Sequence, residues 1–341
     1  MRAAACLGLM AAALLSGCAQ IGYLGQAVGG HLRLVGAARP VPELVADPAL
    51  DASLRERLEL SQRIRDFASR ELGLPDNASY RRYADLRRGA AVWNVVATPE
   101  LSLRLKTWCY PGMGCAGYRG FFDRAEAEAY AQRLRADEGL EVLVYGVPAY
   151  STLGWSRLFG GDPLLNTFIA YPEGELARMI FHELAHQVAY AADDTEFNES
   201  FATTVERLGA LAWLAGPERA AAREQYLQGD ERRRRFQTEA MAWRRKLEAL
   251  YAGPLDEPAK RAAKAELLRQ MRAAPLPGYE AWYARANNPS LALLATYNQL
   301  SPAFEALFER QGRDWQAFHA EVRRLADLPK AQRRQQLLMN P

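Results

Sequence analysis

Histidine is scarce in this chain, four residues in 341. Two of the four lie in the run Phe181-His-Glu-Leu-Ala-His186. On a helix, residues four apart share a face. His182 and His186 can therefore turn their imidazoles to one metal ion. Glu183 sits about a quarter-turn round the helix, where its carboxylate reaches a water beside the ion rather than the ion itself. That division of labour is what zinc-assisted hydrolysis needs. The plainer reading is an amphipathic helix whose histidines only face a neighbour. The flanks weigh against it. No Pro or Gly interrupts Glu175 to Tyr190, and Leu176, Met179, Ile180, Leu184 and Val188 recur at helical spacing. A buried helix carrying two imidazoles and a carboxylate must give those groups partners.

The elements around the motif must then supply a third ligand. The spacing predicts that the histidine helix runs about a turn past His186 and stops near Asp193 and Asp194. A second helix should follow to about Leu214, with Asp193 as its N-cap and Glu196 three residues on as a capping-box partner. Glu199 on that second helix can return beside the first and offer an oxygen. Glu196 and Glu206 are rivals: the first falls early in the helix, and the second lies two turns beyond Glu199, closer to a supporting position. Two histidines, one glutamate and an open fourth position make a catalytic zinc shell, not a closed structural one.

The His-Glu-Leu-Ala-His186 run with Asn198-Glu-Ser-Phe-Ala202 resembles the gluzincin metallopeptidases. In that group an Asn-Glu-x-x-Ala-type helix adds the third ligand. Most of residues 20 to 310 also resembles a bacterial family of predicted zinc-aminopeptidase lipoproteins. The resemblance rests on Trp108 to Phe122, Tyr145 to Trp155, Asp162-Pro-Leu-Leu165, the zinc segment, and Asn287 to Tyr297. It implies a peptidase that uses Zn2+ held by His182, His186 and Glu199, with Glu183 as general base and a peptide as substrate. One position departs from the thermolysin-like pattern. An Asp one turn past the Glu ligand there orients a histidine, whereas this chain has Thr203. Asp194 or Glu206 is left to fill that role. An oxyanion donor is also needed, and Tyr297 and Tyr150 are the candidates; the plainer reading of each is core packing with a satisfied hydroxyl. The stretch Ala149-Tyr-Ser-Thr152 is a candidate edge strand for an extended peptide.

The N-terminus reads as a targeting segment. Met1-Arg2 is followed by an apolar run from Ala3 to Leu15 and then Leu15-Ser-Gly-Cys18. The run is too short to span a bilayer as a mature helix. The ending resembles a bacterial lipobox, which implies cleavage before Cys18, acylation of Cys18 and membrane attachment through lipid. Ala19 after the lipid cysteine then implies the periplasmic face of the outer membrane. Cys109 and Cys115 remain as an even pair in an oxidising compartment, with Pro-Gly-Met-Gly between them to allow a tight reversal.

A content of 49% hydrophobic and 24% charged residues places the chain among ordinary globular proteins, and a net charge of +3 gives no ground for nucleic-acid binding. The dense basic run Glu231-Arg-Arg-Arg-Arg235 falls in a charge-alternating helical stretch and reads as a solvated face. Helices are expected over 51–73 and 123–138, strands over 91–97, 102–108, 141–145 and 166–170, and a helical hairpin over 217–274 broken at Gly253-Pro254. The fold class is therefore α+β and predominantly helical. Its zincin-like form would be a small sheet packed on the HExxH helix, followed by a helical half. The organisation expected is a removed signal segment (1–17), an N-terminal helical region (18–90), a catalytic core (91–215) and a C-terminal helical region (216–341). An endopeptidase, or a zinc-containing envelope lipoprotein with a binding role, would use the same residues.

Overall fold

A computed structural model describes residues 25–26, 28–110, 114–149, 161–192, 194–294 and 300–338. Helix α1 (Ala52–Arg70) starts where Asp51 accepts a hydrogen bond from the Leu54 amide, and it buries Leu58, Ile64 and Ala68 on one stripe. It stops three residues short of the expected end, because Gly73 already turns the chain at φ +61°. Short strands β1 (Arg39–Pro40) and β2 (Arg82–Ala84) pair antiparallel.

The main sheet is β3 (Val92–Thr98), flanked by β6 (Arg119–Phe121) and β7 (Glu141–Val147), all antiparallel. Between them, β4 (Trp108–Tyr110) and β5 (Gly114–Ala116) form a separate ribbon, closed by a Cys109–Cys115 disulfide across directly opposed residues. The expected strand over 102–108 is therefore realised only at its last residue. Residues 102–107 run without regular pairing, though Lys106 donates from its backbone to the Ala97 carbonyl of β3. Val95 and Ala97 of β3 pack against Ala127, Ala131 and Leu134 of helix α2 (Arg124–Glu138). Asn94, Val96 and Thr98 on the opposite face are buried too.

Strand β8 (Leu164–Leu165) runs parallel to β2. The strand expected over 166–170 is a turn. The Asn166 side chain accepts from the Leu86 amide and donates to the Arg88 carbonyl, while Phe168 and Ile169 both donate to the Leu165 carbonyl. These bonds coil the chain directly into α3 (Glu173–Ala185), the helix of the histidine motif.

Among the described residues every element after α3 is helical: α4 (Thr195–Trp213), the hairpin of α5 (Ala220–Ala252) and α6 (Glu257–Ala273), then α7 (Asn288–Leu294), α8 (Ser301–Arg310), α9 (Trp315–Ala326) and α10 (Lys330–Leu338), with one further short helix at Glu280–Arg285. The structure is thus α+β and mostly helical. The largest apolar core is centred on α3 and α4. Leu176, Ile180, Phe181 and Leu184 meet Phe197, Phe201 and Val205, joined by α1 from one end of the chain and Phe304 and Phe318 from the other. Helices α1, α4 and α5, not the antiparallel sheet, supply the main walls of α3, and the sheet lies between α2 and α7. No helix among the described residues is long and apolar enough to cross a membrane.

Candidate metal centre

Two departures from the expected local structure set the geometry. Helix α3 ends at Ala185, so His186 is its C-cap instead of an interior residue. Gln187 and Val188 then turn back onto the Leu184 and Ala185 carbonyls. The cap of α4 is Asp194, one residue later than expected, and it accepts from the Phe197 amide. Asn198 closes the connection: its side chain accepts from the Ala191 amide and donates to the Ala191 carbonyl, both at 2.8 Å. A one-residue clamp of this kind replaces the longer helix that periodicity alone suggests. The two helices lie close where Gly209 of α4 faces Phe181. A Cβ there would stand 2.9 Å from the Phe181 ring and 2.7 Å from Leu72.

This hairpin brings together the three ligands expected from the sequence. The ligand atoms of His182, His186 and Glu199 all lie within 4.8 Å of one another. The two Nε2 atoms face each other at 3.2 Å, and the Glu199 carboxylate approaches them to 3.4 Å (His182) and 3.8 Å (His186). His186 is buried, and the Glu199 side chain is largely covered. The rival carboxylates are accounted for. Glu196 pairs with Arg334 at 2.8 Å. Glu206 stands on the other side of His182, its Oε2 2.8 Å from Nδ1.

Glu206 thus stands beside the histidine that the Asp missing at Thr203 would orient, in ion-pair range of Nδ1 but without the alignment of a hydrogen bond. It lies seven residues past Glu199, two turns on and on the same face, and its side chain is one methylene longer than an Asp. Asp194, the other candidate, is engaged by Arg333 and Arg334 instead. The support continues outward. Arg178 donates to Glu206 at 2.7 Å and to Glu175 at 2.9 Å, and Arg233 pairs with Glu175 at 2.6 Å. This line of alternating charges joins α3 to α4 and α5, across residues far apart in the sequence. A signal for it exists in the spacing, since Glu175, Arg178 and His182 follow one another at three- and four-residue steps along one face of α3. It also draws Arg233 out of the basic run. The neighbouring Arg234 and Arg235 pair locally with Asp230, Glu231 and Glu239, as a solvated helix face does.

Charge in the site follows from burial and these neighbours. Burial opposes a proton on His182, but Glu206 and Glu199 overcome it and hold its pKa well above the usual imidazole value. His186 goes the other way, to about 4, driven by burial and by the charge on His182 against the pull of Glu199. Burial would raise the pKa of Glu206, yet Arg178 and His182 bring it down to about 2. Glu199 is likewise lowered against its own burial by the two histidines. The pocket therefore holds two carboxylates as anions around a pair of imidazoles that turn Nε2 inward. His186 Nδ1 has no hydrogen-bond partner among the described residues. A divalent cation fits this donor set: two nitrogens, one carboxylate, and a further carboxylate beside the outer nitrogen of one histidine.

Glu183 is half-buried beside His182. Burial, then the charges of Glu183 and Asp162, push the Tyr80 phenol well up, which places Tyr80 within electrostatic reach of Glu183. Tyr80 is held at φ +64°. Tyr190, nearly half exposed, lies within reach of the Glu199 charge, which adds to burial in raising its pKa. Neither tyrosine is singled out by the sequence. Tyr150, Tyr297, Asp193, Cys18 and all but the first residue of the stretch 149–152 lie outside the described residues.

A family model described as "Putative aminopeptidase" matches residues 22–337, nearly the whole chain, and the chain belongs to that family. No curated protein and no solved structure matches it.

Proposed function

We propose that this member of the aminopeptidase family is a zinc-dependent metallopeptidase with a gluzincin-type ligand set, its HExxH helix walled by helices in place of the sheet of a zincin-like fold. In this reading it removes residues from the amino end of peptides and is tethered by lipid on Cys18 to the periplasmic face of the bacterial outer membrane. Family membership supports peptide hydrolysis. The observation that carries the metal is the convergence of His182, His186 and Glu199, with Glu206 on the outer nitrogen of His182. The anchor and the compartment rest on Leu15-Ser-Gly-Cys18.

His182, His186 and Glu199 would hold the ion. When bound, zinc polarises a scissile carbonyl and acidifies water. Glu183 takes the proton of the attacking water and passes it to the leaving amine nitrogen. Glu206 keeps Nδ1 of His182 protonated, so that Nε2 presents its lone pair inward.

The test is metal content together with hydrolysis. Purified protein should bind one zinc per chain and cleave peptides in a chelator-sensitive way. Glu199→Ala should lose most of the zinc. Wild-type zinc stoichiometry in that variant would remove Glu199 from the site.

A further inference from the structure

The last helix of the chain is tied to the first turn of the helix that bears Glu199. Asp194, whose side chain is fully buried, caps α4 and is met by three cations from α10. Arg333 Nη1 lies 3.1 Å from Oδ2, Arg334 Nε donates to the same oxygen at 2.9 Å while its Nη2 grips Oδ1, and Lys330 Nζ stands 3.7 Å away. Arg334 spans further to Glu196 at 2.8 Å. Arg333 is itself buried. It donates to the carbonyls of Leu325 at 3.2 Å, Ala326 at 3.1 Å and Leu328 at 2.8 Å, at the end of α9. Its guanidinium stands 5.3 Å from the centre of the Phe197 ring. One side chain therefore joins the end of α9 to the start of α4.

Glu199 is the fifth residue of α4. The amides of a helix's first turn have no intrahelical acceptor, and this is where helices fray. His182 lies in α3 and His186 caps it, and α3 packs on α1 and α5 as well as on α4. The contacts from α10 thus reach Glu199 before the two histidines.

We propose that Arg333 and Arg334 are positioning residues for Glu199, and that the C-terminal helix latches the metal site from more than 130 residues downstream. The proposal rests on the zinc reading above. Arg333 is too buried for a clean test, so Arg334, about a quarter exposed, is the residue to change. Far-UV circular dichroism establishes folding. Cobalt(II) titration then reads affinity and, through the visible absorption of the bound ion, its coordination.

Arg334→Ala is expected to weaken cobalt binding roughly tenfold, the scale seen when a group supporting a metal ligand is removed, and to change the visible spectrum as an oxygen ligand is lost. Arg334→Lys keeps the charge without the planar fork and should fall between alanine and wild type in both readouts. A folded alanine variant with wild-type affinity and spectrum overturns the latch while leaving the zinc reading intact. If the alanine variant fails to fold, the lysine variant decides by the same criterion. A wild-type protein that takes up no cobalt overturns the zinc reading and the latch together.

Discussion

Replacing Glu206 by Gln tests whether the carboxylate behind His182 shapes metal binding. The wild-type group does two things at once, with Oε1 accepting from Arg178 at 2.7 Å and Oε2 lying 2.8 Å from His182 Nδ1. Gln has one acceptor oxygen. If that oxygen faces His182, the amide NH2 confronts Arg178, which keeps Glu175 at 2.9 Å. If it faces Arg178, the NH2 confronts His182, whose Nδ1 must then give up its proton and move it to Nε2, the atom needed for the metal. Loss of such a partner costs about 10- to 100-fold in metal affinity, or roughly 1.4 to 3 kcal/mol.

A second effect opposes the first. In the metal-free site, burial works against a charge on His182, and the neighbour that does most to restore that charge is Glu206. The metal must displace that proton, so wild-type affinity should rise with pH throughout the range below the raised pKa. Glu206→Gln lowers that pKa and flattens the slope. The deficit should therefore shrink as pH falls and approach its full size as pH rises through the raised pKa. Competition with a chromophoric chelator over a pH series measures it. Equal zinc affinities for the two proteins at the high-pH end of the series would refute the orienting role.

Three further outcomes follow from the same geometry. Glu183→Gln should keep one zinc per chain and lose peptide hydrolysis by at least about 100-fold, the lower end for a general base; an active, zinc-loaded variant would take Glu183 out of that role. Acetylating the substrate's amino terminus should stop cleavage, measured by mass spectrometry of the digest, and unimpaired cleavage would identify an endopeptidase. His319, buried with Nε2 unpartnered among the described residues, has its pKa pushed down to about 4 by burial and then by Arg323, against a hydrogen bond with the Gly73 backbone. Its unfolded value is near 6.5, so the unfolded chain binds the extra proton between those values. Stability should fall as pH drops from 6.5 towards 4, by about 3 kcal/mol in all. Urea unfolding of wild type and His319→Phe compares the two slopes, and parallel slopes would rule His319 out as their source.

How much of this was legible in the sequence depended on the range of the interaction concerned. The convergence of His182, His186 and Glu199 was legible because they lie within 18 consecutive residues. One helical repeat and one turn fix their meeting, so local rules suffice. Helix α2 and the α5–α6 hairpin were legible for the same reason, since Asp123 caps α2 and Gly253-Pro254 parts α5 from α6. The strands expected over 102–108 and 166–170 failed where apolar composition competed with specific hydrogen bonds. Asn166 spends its side chain on Leu86 and Arg88, more than seventy residues earlier. No window of the sequence around 166 contains those partners.

The helix boundary at Ala185 escapes a local reading for a related reason. Periodicity continues through Val188, but the Asn198 clamp on Ala191 needs the chain to turn early. A side chain that bonds both backbone groups of one residue removes them from any helix ladder. The early turn has a chemical consequence. It puts His186 at a helix end, where its imidazole can face that of His182 at 3.2 Å while α4 passes close enough for Glu199 to reach both. The interaction that overrode the local pattern is thus part of what assembles the site. The residues that hold the turn (Asp194, Asn198 and the arginines of α10) belong to the proposed metal centre as much as to the fold.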